Sequence, residues 1–255
     1  MIRALRHARR LSQEELAYRA EVSTRHLSCL ESGRARPSHT MVLTLGSALD
    51  LPLRDRNTLL VAAGFAPVYR VSALEGPEMA HVHQAVSHIL RLHEPHPAIL
   101  MDRSWNALRL NDGALRLFSW CGVSLGGAAL LNAHRVLFDP AFGLRPWVVN
   151  FDALADATLE RLRSEVDVDP SLRAGLAELE RLRGASPAEP SKTGPNAVAL
   201  PVHLRKDGHD LRYFTTLTTL GTPLDVTAQE LRIEGYFPMD DETDAFGRRL
   251  EAGVP

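Results

Sequence analysis

Residues 11–38 read LSQEELAYRAEVSTRHLSCLESGRARPS. Two helix starts and one stop stand in this stretch. Ser12, followed three residues later by Glu15, forms a capping box: hydroxyl and carboxylate satisfy N–H groups that a first helical turn leaves unpaired. Leu16 and Ala17 follow on the face to be buried. Ser23 offers a second cap, and the helix it opens turns Leu27 and Leu30 inward before Gly33 stops it. Only Ala20, Glu21 and Val22 separate the two helices. A connection that short makes the pair cross steeply, as in a helix-turn-helix. The second helix then presents Ser23, Thr24, Arg25, Ser28 and Cys29 outward.

Small polar side chains beside one arginine, at the start of a helix, suit the edges of bases in a major groove. Arg25 is placed to pair bidentately with guanine, and Thr24 and Ser28 to meet bases or phosphates. Gln13, at the start of the preceding helix, is expected to bring its amide to a phosphate. Arg34 and Arg36, just beyond, are expected to hold the DNA backbone. The implied partner is double-stranded DNA carrying an inverted-repeat operator. One such helix buries little DNA surface, so a homodimer is the expected form. A different reading of the same helices is a protein-interaction module that never touches DNA.

Around this stretch the first 65 residues divide into five short helices. Ile2, Leu5 and Ala8 make an apolar stripe before it. After it, Ser38 caps a helix whose core face is Met41, Val42, Leu45 and Leu49, and a fifth helix runs from about Arg54 to Ala63. Residues 1–66 hold ten Arg and six acidic residues, a net of +4, while the rest of the chain carries a net of −6. A basic small domain joined to an acidic larger one suits a protein with one polyanionic partner. The whole chain, 255 residues with 45% hydrophobic and 24% charged residues, has an ordinary globular composition. It has no apolar run of membrane-spanning length and no signal-peptide pattern, so the cytoplasm is the expected location, without a membrane partner. Cys29 and Cys121 form no pair of metal-binding or disulfide spacing.

Residues 67–77 read as a linker, with two prolines and a glycine and no periodicity. A long helix is expected over Glu78–His93. Two short strands follow, Ala98–Met101 and Trp105–Leu110, and then a helix capped by Asn111. Further helices open at Asp152 and at Asp169-Pro170. A loop rich in Pro, Ser and Gly covers 184–197. A hairpin pairs Val198–Arg205 with Leu211–Thr219, and a last strand runs from Leu231 to Phe237.

Two resemblances come from these residues. The segments Leu11–Ala17, Val22-Ser23, Leu30–Gly33 and Arg36–Ser38 resemble the phage-repressor-like (xenobiotic-response-element) helix-turn-helix family. In that family an Arg of the first helix pairs with the Glu ending the recognition helix, and Arg6 and Glu31 stand at those places. Arg10 departs from the Gly that many relatives carry at the turn. The segments His93–Pro97, Met101–Asn106, Asn132–Pro140, Phe214–Thr227 and Glu230–Asp240 resemble the MmyB-like ligand-binding domain attached to such repressors. Together they imply an all-α, five-helix, lambda-repressor-like domain over 1–66, then an α+β PAS-like domain over 78–245, with 246–255 as a tail. They also imply a repressor controlled by a small apolar ligand, fatty-acid-like in some members, with no other cofactor.

For the ligand, the strand Tyr213–Thr219 puts Phe214, Thr216 and Thr218 on one face, which suits an apolar wall with hydroxyl groups. Trp105, Phe118, Phe138 and Trp147 are the other lining residues expected; ordinary core is the alternative for each. His81, His83, His88, His93 and His96 crowd one segment without the i, i+4 spacing of a helical metal site, so no metal is expected. The chain shows no nucleophile elbow, Walker loop or zincin motif, and His134, Asp102 and His203 are too scattered to argue for catalysis. No catalytic residue is therefore expected, although an enzyme with autoregulatory DNA binding stands as the other reading of the second domain.

Overall fold

A computed structural model describes residues 1–123, 131–184 and 200–253. It divides into two compact units, Met1–Ala80 with Leu220–Gln229, and His81–Thr219 with Glu230–Pro255. Among the described residues no helix is long and apolar enough to cross a membrane.

The first unit holds the five expected helices: α1 (Ile2–Ala8), α2 (Gln13–Arg19), α3 (Thr24–Glu31), α4 (His39–Ala48) and α5 (Leu53–Ala62). The caps read from sequence are in place. Ser12 and Glu15 form the full capping box, and Ser23 and Ser38 accept the N–H groups of His26 and Met41. Leu16, Leu27, Leu45, Leu49 and Leu60 make a core with no exposed area. Three of the tight connections are turned by left-handed residues other than glycine: Arg10 (φ 55), Glu21 (φ 53) and Asp50 (φ 48). Such a conformation costs a side-chain-bearing residue on the order of 1–2 kcal/mol. At Arg10 the chain accepts that cost at the turn where the helix-turn-helix resemblance leads to an expectation of Gly.

This unit also takes in chain from beyond its own five helices. Asn57, buried on α5, accepts the N–H groups of Val68 and Tyr69 (3.1 and 3.0 Å) and donates to the Tyr69 carbonyl at 2.7 Å. The segment so held bridges to residues 220–229, with Arg70 paired parallel to Asp225. Asp225 accepts the N–H and hydroxyl of Ser72 (3.1 and 2.8 Å), and Thr227 donates to the Ser72 carbonyl (2.7 Å). Gln229 accepts the N–H of Leu53 at 2.7 Å, capping α5, whose own N-cap is a proline. After the turn at 220–224 comes a short helix, α11 (Val226–Glu230), that the sequence reading lacks. The residues read as a linker, 67–77, lie within this unit.

The second unit is built on a five-stranded antiparallel sheet of order β2-β1-β5-β4-β3: β1 (Ala98–Met101), β2 (Ala107–Leu110), β3 (Val202–Lys206), β4 (His209–Thr219) and β5 (Arg232–Pro238). The helices are α6 (Ala80–Leu92), α7 (Asp112–Cys121), α8 (Ala133–Phe138), α9 (Phe151–Val168), α10 (Arg173–Arg183) and α12 (Asp241–Glu251). Architecture and order agree with the all-α then α+β expectation. The buried Asn111 does more than cap α7. Its carbonyl oxygen accepts the N–H groups of Ala98 (2.8 Å) and Ala114 (2.9 Å), while its amide donates to the carbonyls of His96 (2.8 Å) and Leu90 (3.3 Å). One amide thereby joins α6, β1 and α7. Gly113 beside it is required, since a Cβ there would stand 2.4 Å from the Pro95 carbonyl oxygen. The loop expected at 184–197 lies, after Gly184, outside the described residues.

One boundary needs correction. Residues 246–255 were expected to be a tail, but α12 continues to Glu251 and Phe246 is fully buried in the main core. The pattern is hard to see because polar residues occupy most of the helix and one aromatic carries its anchoring. Asp240 caps it by accepting the N–H of Thr243.

Two outcomes follow from these contacts. Phe246→Ala is expected to destabilise the second unit by ~3–5 kcal/mol in denaturant titration of the full chain, the usual range for an aromatic deleted from a core; a change below ~1 kcal/mol would return residues 246–251 to a tail. Asp225→Ala removes both hydrogen bonds to Ser72 and is expected to speed limited proteolysis within 66–76, with an unchanged rate counting against the described grip.

Candidate DNA-reading helix and ligand cavity

The recognition helix is seated by a charge network at its far end. Arg6 on α1 pairs bidentately with Glu31, the last residue of α3, at 2.7 and 3.0 Å, and donates to the Leu11 carbonyl at 2.7 Å. Both side chains are almost fully buried. Gln13 adds its amide to the same carboxylate at 2.7 Å. The hydrogen bond from Arg6, strengthened by that from Gln13, holds the Glu31 carboxyl below the usual range. Gln13 thus gives one of its two amide N–H donors to Glu31 and keeps the other.

Ser23 uses its hydroxyl to cap α3. Thr24 and Arg25 stand exposed in the first turn, and Ser28 and Cys29 are half-buried. Arg34, exposed past the helix end, donates from Nε to the Ser32 hydroxyl at 2.9 Å; Arg36 is exposed. Residues 24–29 hold no acid; Glu21 precedes Arg25 by four residues, and Glu31, six after it, has its charge balanced by Arg6. The outward face from Thr24 to Cys29 presents Arg25 with no carboxylate on the helix itself before Glu31.

In the second unit a cavity of about 200 Å³ lies between the sheet and helices α8 and α9. Leu137, Leu144, Leu154 and Val202 supply apolar wall; Thr158, Arg161, His134, Thr215, Glu234 and Tyr236 supply polar groups. A second cavity, about 290 Å³ and bounded by α8 and α10, shares Trp105 and His134 with the first. Of the seven lining residues expected from sequence, Trp105 lines both. Phe118 and Phe138 are core residues. Trp147 packs beside that core, donates to the Cys121 carbonyl at 2.8 Å and has the Lys206 ammonium 5.0 Å from its ring.

The strand residues are corrected by one position. On β4 the inward set is Leu211, Tyr213 and Thr215; Phe214, Thr216 and Thr218 point the other way. Phe214 stacks on Phe237 across the outer face, with centroids 5.1 Å apart. Strand side chains alternate, so choosing the face one residue off exchanges the whole set. The parity was available in the alternation of Leu211 and Tyr213, but the aromatic and two threonines of the outer face drew the choice.

The polar end of the smaller cavity gathers around Trp105, which is held left-handed (φ 65) and is 1% exposed. Its indole N–H donates to Glu165 at 3.1 Å, and Glu165 also accepts from Arg232 at 3.0 Å. The guanidinium carbons of Arg161 and Arg232 lie 4.3 and 4.7 Å from its ring, and the His134 ring 4.5 Å. Arg161 Nη2 is 3.3 Å from His134 Nε2, and since a guanidinium only donates, that nitrogen accepts. Burial, with Arg161 and Arg232 adding to it, drives the His134 pKa down to about 3. Burial likewise lifts Glu234, against the pull of Arg161 and of hydrogen bonds from Thr215 and Tyr236, and lifts Tyr236 well above the usual phenol range.

The histidine-rich segment disperses. His93 donates to the Tyr236 carbonyl at 2.8 Å, His96 meets Asp244 at 2.9 Å, and His88 lies 3.0 Å from Arg91. Among the described residues no group of three His, Cys, Asp or Glu is placed to hold a metal. The residues that the sequence reading missed are Arg161, Thr215 and Tyr236. They lie on α9, β4 and β5, and no motif joins them.

Comparison with known proteins follows this geometry. Residues 82–250 match the family model for the MmyB-like transcription regulator ligand binding domain, and residues 1–59 match one for a helix-turn-helix domain. No curated protein matches the chain significantly. Among solved structures, that of an RNA-binding light-oxygen-voltage receptor aligns at 13% identity and a TM-score of 0.28. The alignment takes in 98% of this chain but 60% of the receptor's, and so low a score carries no argument here.

The His134 environment sets a pH dependence. With a folded pKa near 3 against 6.5 for an exposed ring, the unfolded chain binds the extra proton first as pH falls. Its contribution to stability is then intact above 6.5 and lost below it, by up to about 1.4 kcal/mol per pH unit. A His134→Asn variant is expected to show a flatter stability curve below pH 6.5 than the native chain. Parallel curves would mean that the ring is already solvated.

Proposed function

Because the chain belongs to the MmyB-like family of helix-turn-helix transcription regulators, we propose that it is a homodimeric repressor that reads an inverted-repeat operator and is controlled by a small, largely apolar ligand. The observation that carries the DNA-reading part is the outward face of α3. Thr24 and Arg25 stand exposed in its first turn, and Glu31 at its end is neutralised by Arg6. An arginine so presented pairs bidentately with guanine O6 and N7. Arg34 and Arg36 contribute phosphate contacts that position the helix without selecting sequence. Two-fold pairing supplies the buried surface that one helix lacks. The cavity beside Trp105 supports the ligand part, being mostly apolar in its wall and provided with a few convergent polar groups.

Selection from random duplexes, with the native chain and with Arg25→Ala, tests this reading. The native chain is expected to enrich an inverted repeat. The variant is expected to keep its fold, lose about 1–3 kcal/mol at the operator, and relax selection at one base pair of each half-site. An Arg25→Ala chain that selects the same site with equal affinity would sink the assignment. Arg36→Ala, in contrast, is expected to weaken all sequences alike and to lower the salt dependence.

A further inference from the structure

Gln229 and Arg232 stand close in the chain and belong to different units. Gln229 supplies the cap of α5: its side-chain oxygen accepts the Leu53 N–H at 2.7 Å, where Pro52 offers no side-chain cap. Just before it, Thr227 donates to the Ser72 carbonyl at 2.7 Å, and Asp225 holds the Ser72 N–H and hydroxyl. Arg232 opens β5. It donates to Glu165 at 3.0 Å, the carboxylate that also takes the Trp105 indole N–H. Further along the same strand, Glu234 and Tyr236 line the smaller cavity. Only Leu231 separates α11 from β5, and it is buried. The β4 side of the segment is different: Gly221, Thr222 and Leu224 are exposed on the way from Thr219 to Asp225.

We propose that α11 is the element through which the second unit controls the first: a shift at the start of β5 passes through Leu231 to Gln229 and loosens the cap on α5 and the hold on Ser72. The proposal rests on reading the chain as a ligand-controlled regulator and adds the route of control. Close-packed residues transmit displacement, and a helix joined to a strand through one buried residue has no loose chain to absorb it. The exposed stretch before Asp225 can absorb a shift of β4, so the β5 side carries the signal. The responsive part is the first turn of α5. The first N–H groups of a helix have no partner within it. A cap supplied from 176 residues away therefore ties that turn to whatever moves Gln229.

Amide-resolved hydrogen exchange on the full chain, with neither DNA nor ligand added, tests this. Glu165→Gln weakens the hold on Arg232 from within the second unit. It is expected to speed exchange of the Leu53 and Ser72 amides about tenfold. The Leu27 amide, bonded to the Ser23 carbonyl in α3, is expected to keep its native rate. Unchanged rates at Leu53 and Ser72, or an equal acceleration at Leu27, would overturn the coupling. Inserting Gly-Ser-Gly-Ser between Glu230 and Leu231 is expected to abolish the effect of Glu165→Gln, whereas the same insertion between Gly221 and Thr222 is expected to leave it. An effect that survives the first insertion would remove α11 as the route. Where that chain fails to fold, Gln229→Ala decides. Coupling is reciprocal, so the Ile233 and Glu234 amides are expected to exchange faster in that variant, and native rates there would count against the proposal. Since no DNA is present, a failed operator selection would sink the regulator reading and leave the exchange result standing.

Discussion

Trp105 is the constraint on which the site in the second unit depends. A bulky residue held at φ 65 and almost wholly buried is strained, and it persists because its surroundings hold every edge of it. Glu165 takes its N–H, Arg161 and Arg232 lie over its ring, and His134 packs beside it. The same indole walls both cavities. Moving it would release one carboxylate, two guanidinium groups and a histidine together. The polar end of the cavity therefore behaves as a unit rather than as independent side chains.

Two arginines, Arg6 in the first unit and Arg161 in the second, meet different neighbours. In the first, Arg6 meets Glu31 in a closed bidentate pair, Gln13 adds a third hydrogen bond to the carboxylate, and the helix that faces outward is fixed by its far end. Such a pair positions α3 without spending its exposed face. In the second, Arg161 stands beside a cavity with a neutral histidine and an aromatic ring as its neighbours.

Chain order also matters to how the units are made. The strands β4 and β5 supply Thr215, Glu234 and Tyr236 to the cavity, and the segment between those strands, residues 220–229, belongs to the first unit. Asp225 in that segment holds Ser72 and sits below the usual carboxylate range: burial opposes its charge, but hydrogen bonds from Ser72, Ala228 and Thr227 outweigh it. Gln229 caps α5 where Pro52 offers no side-chain cap.

Local chemistry by itself determined most of the first unit. Ser12, Glu15, Ser23, Ser38 and Gly33 are start and stop signals whose effect is confined to one turn, so they read correctly from the chain alone. The strands at 98–101 and near 232–238, and the Asn111 cap, were equally plain, because each rests on near neighbours. Tertiary structure decided what depends on distant partners. Which face of β4 turns inward is set by its pairing with β5, and Thr215 rather than Phe214 reaches the cavity for that reason. Whether residues 246–251 are tail or helix turns on one buried Phe246. That one Gln13 amide donor goes to Glu31 depends on a partner 18 residues away. The grouping at the cavity could not be read in advance, because Arg161, His134 and Glu234 meet only after helices and sheet have packed.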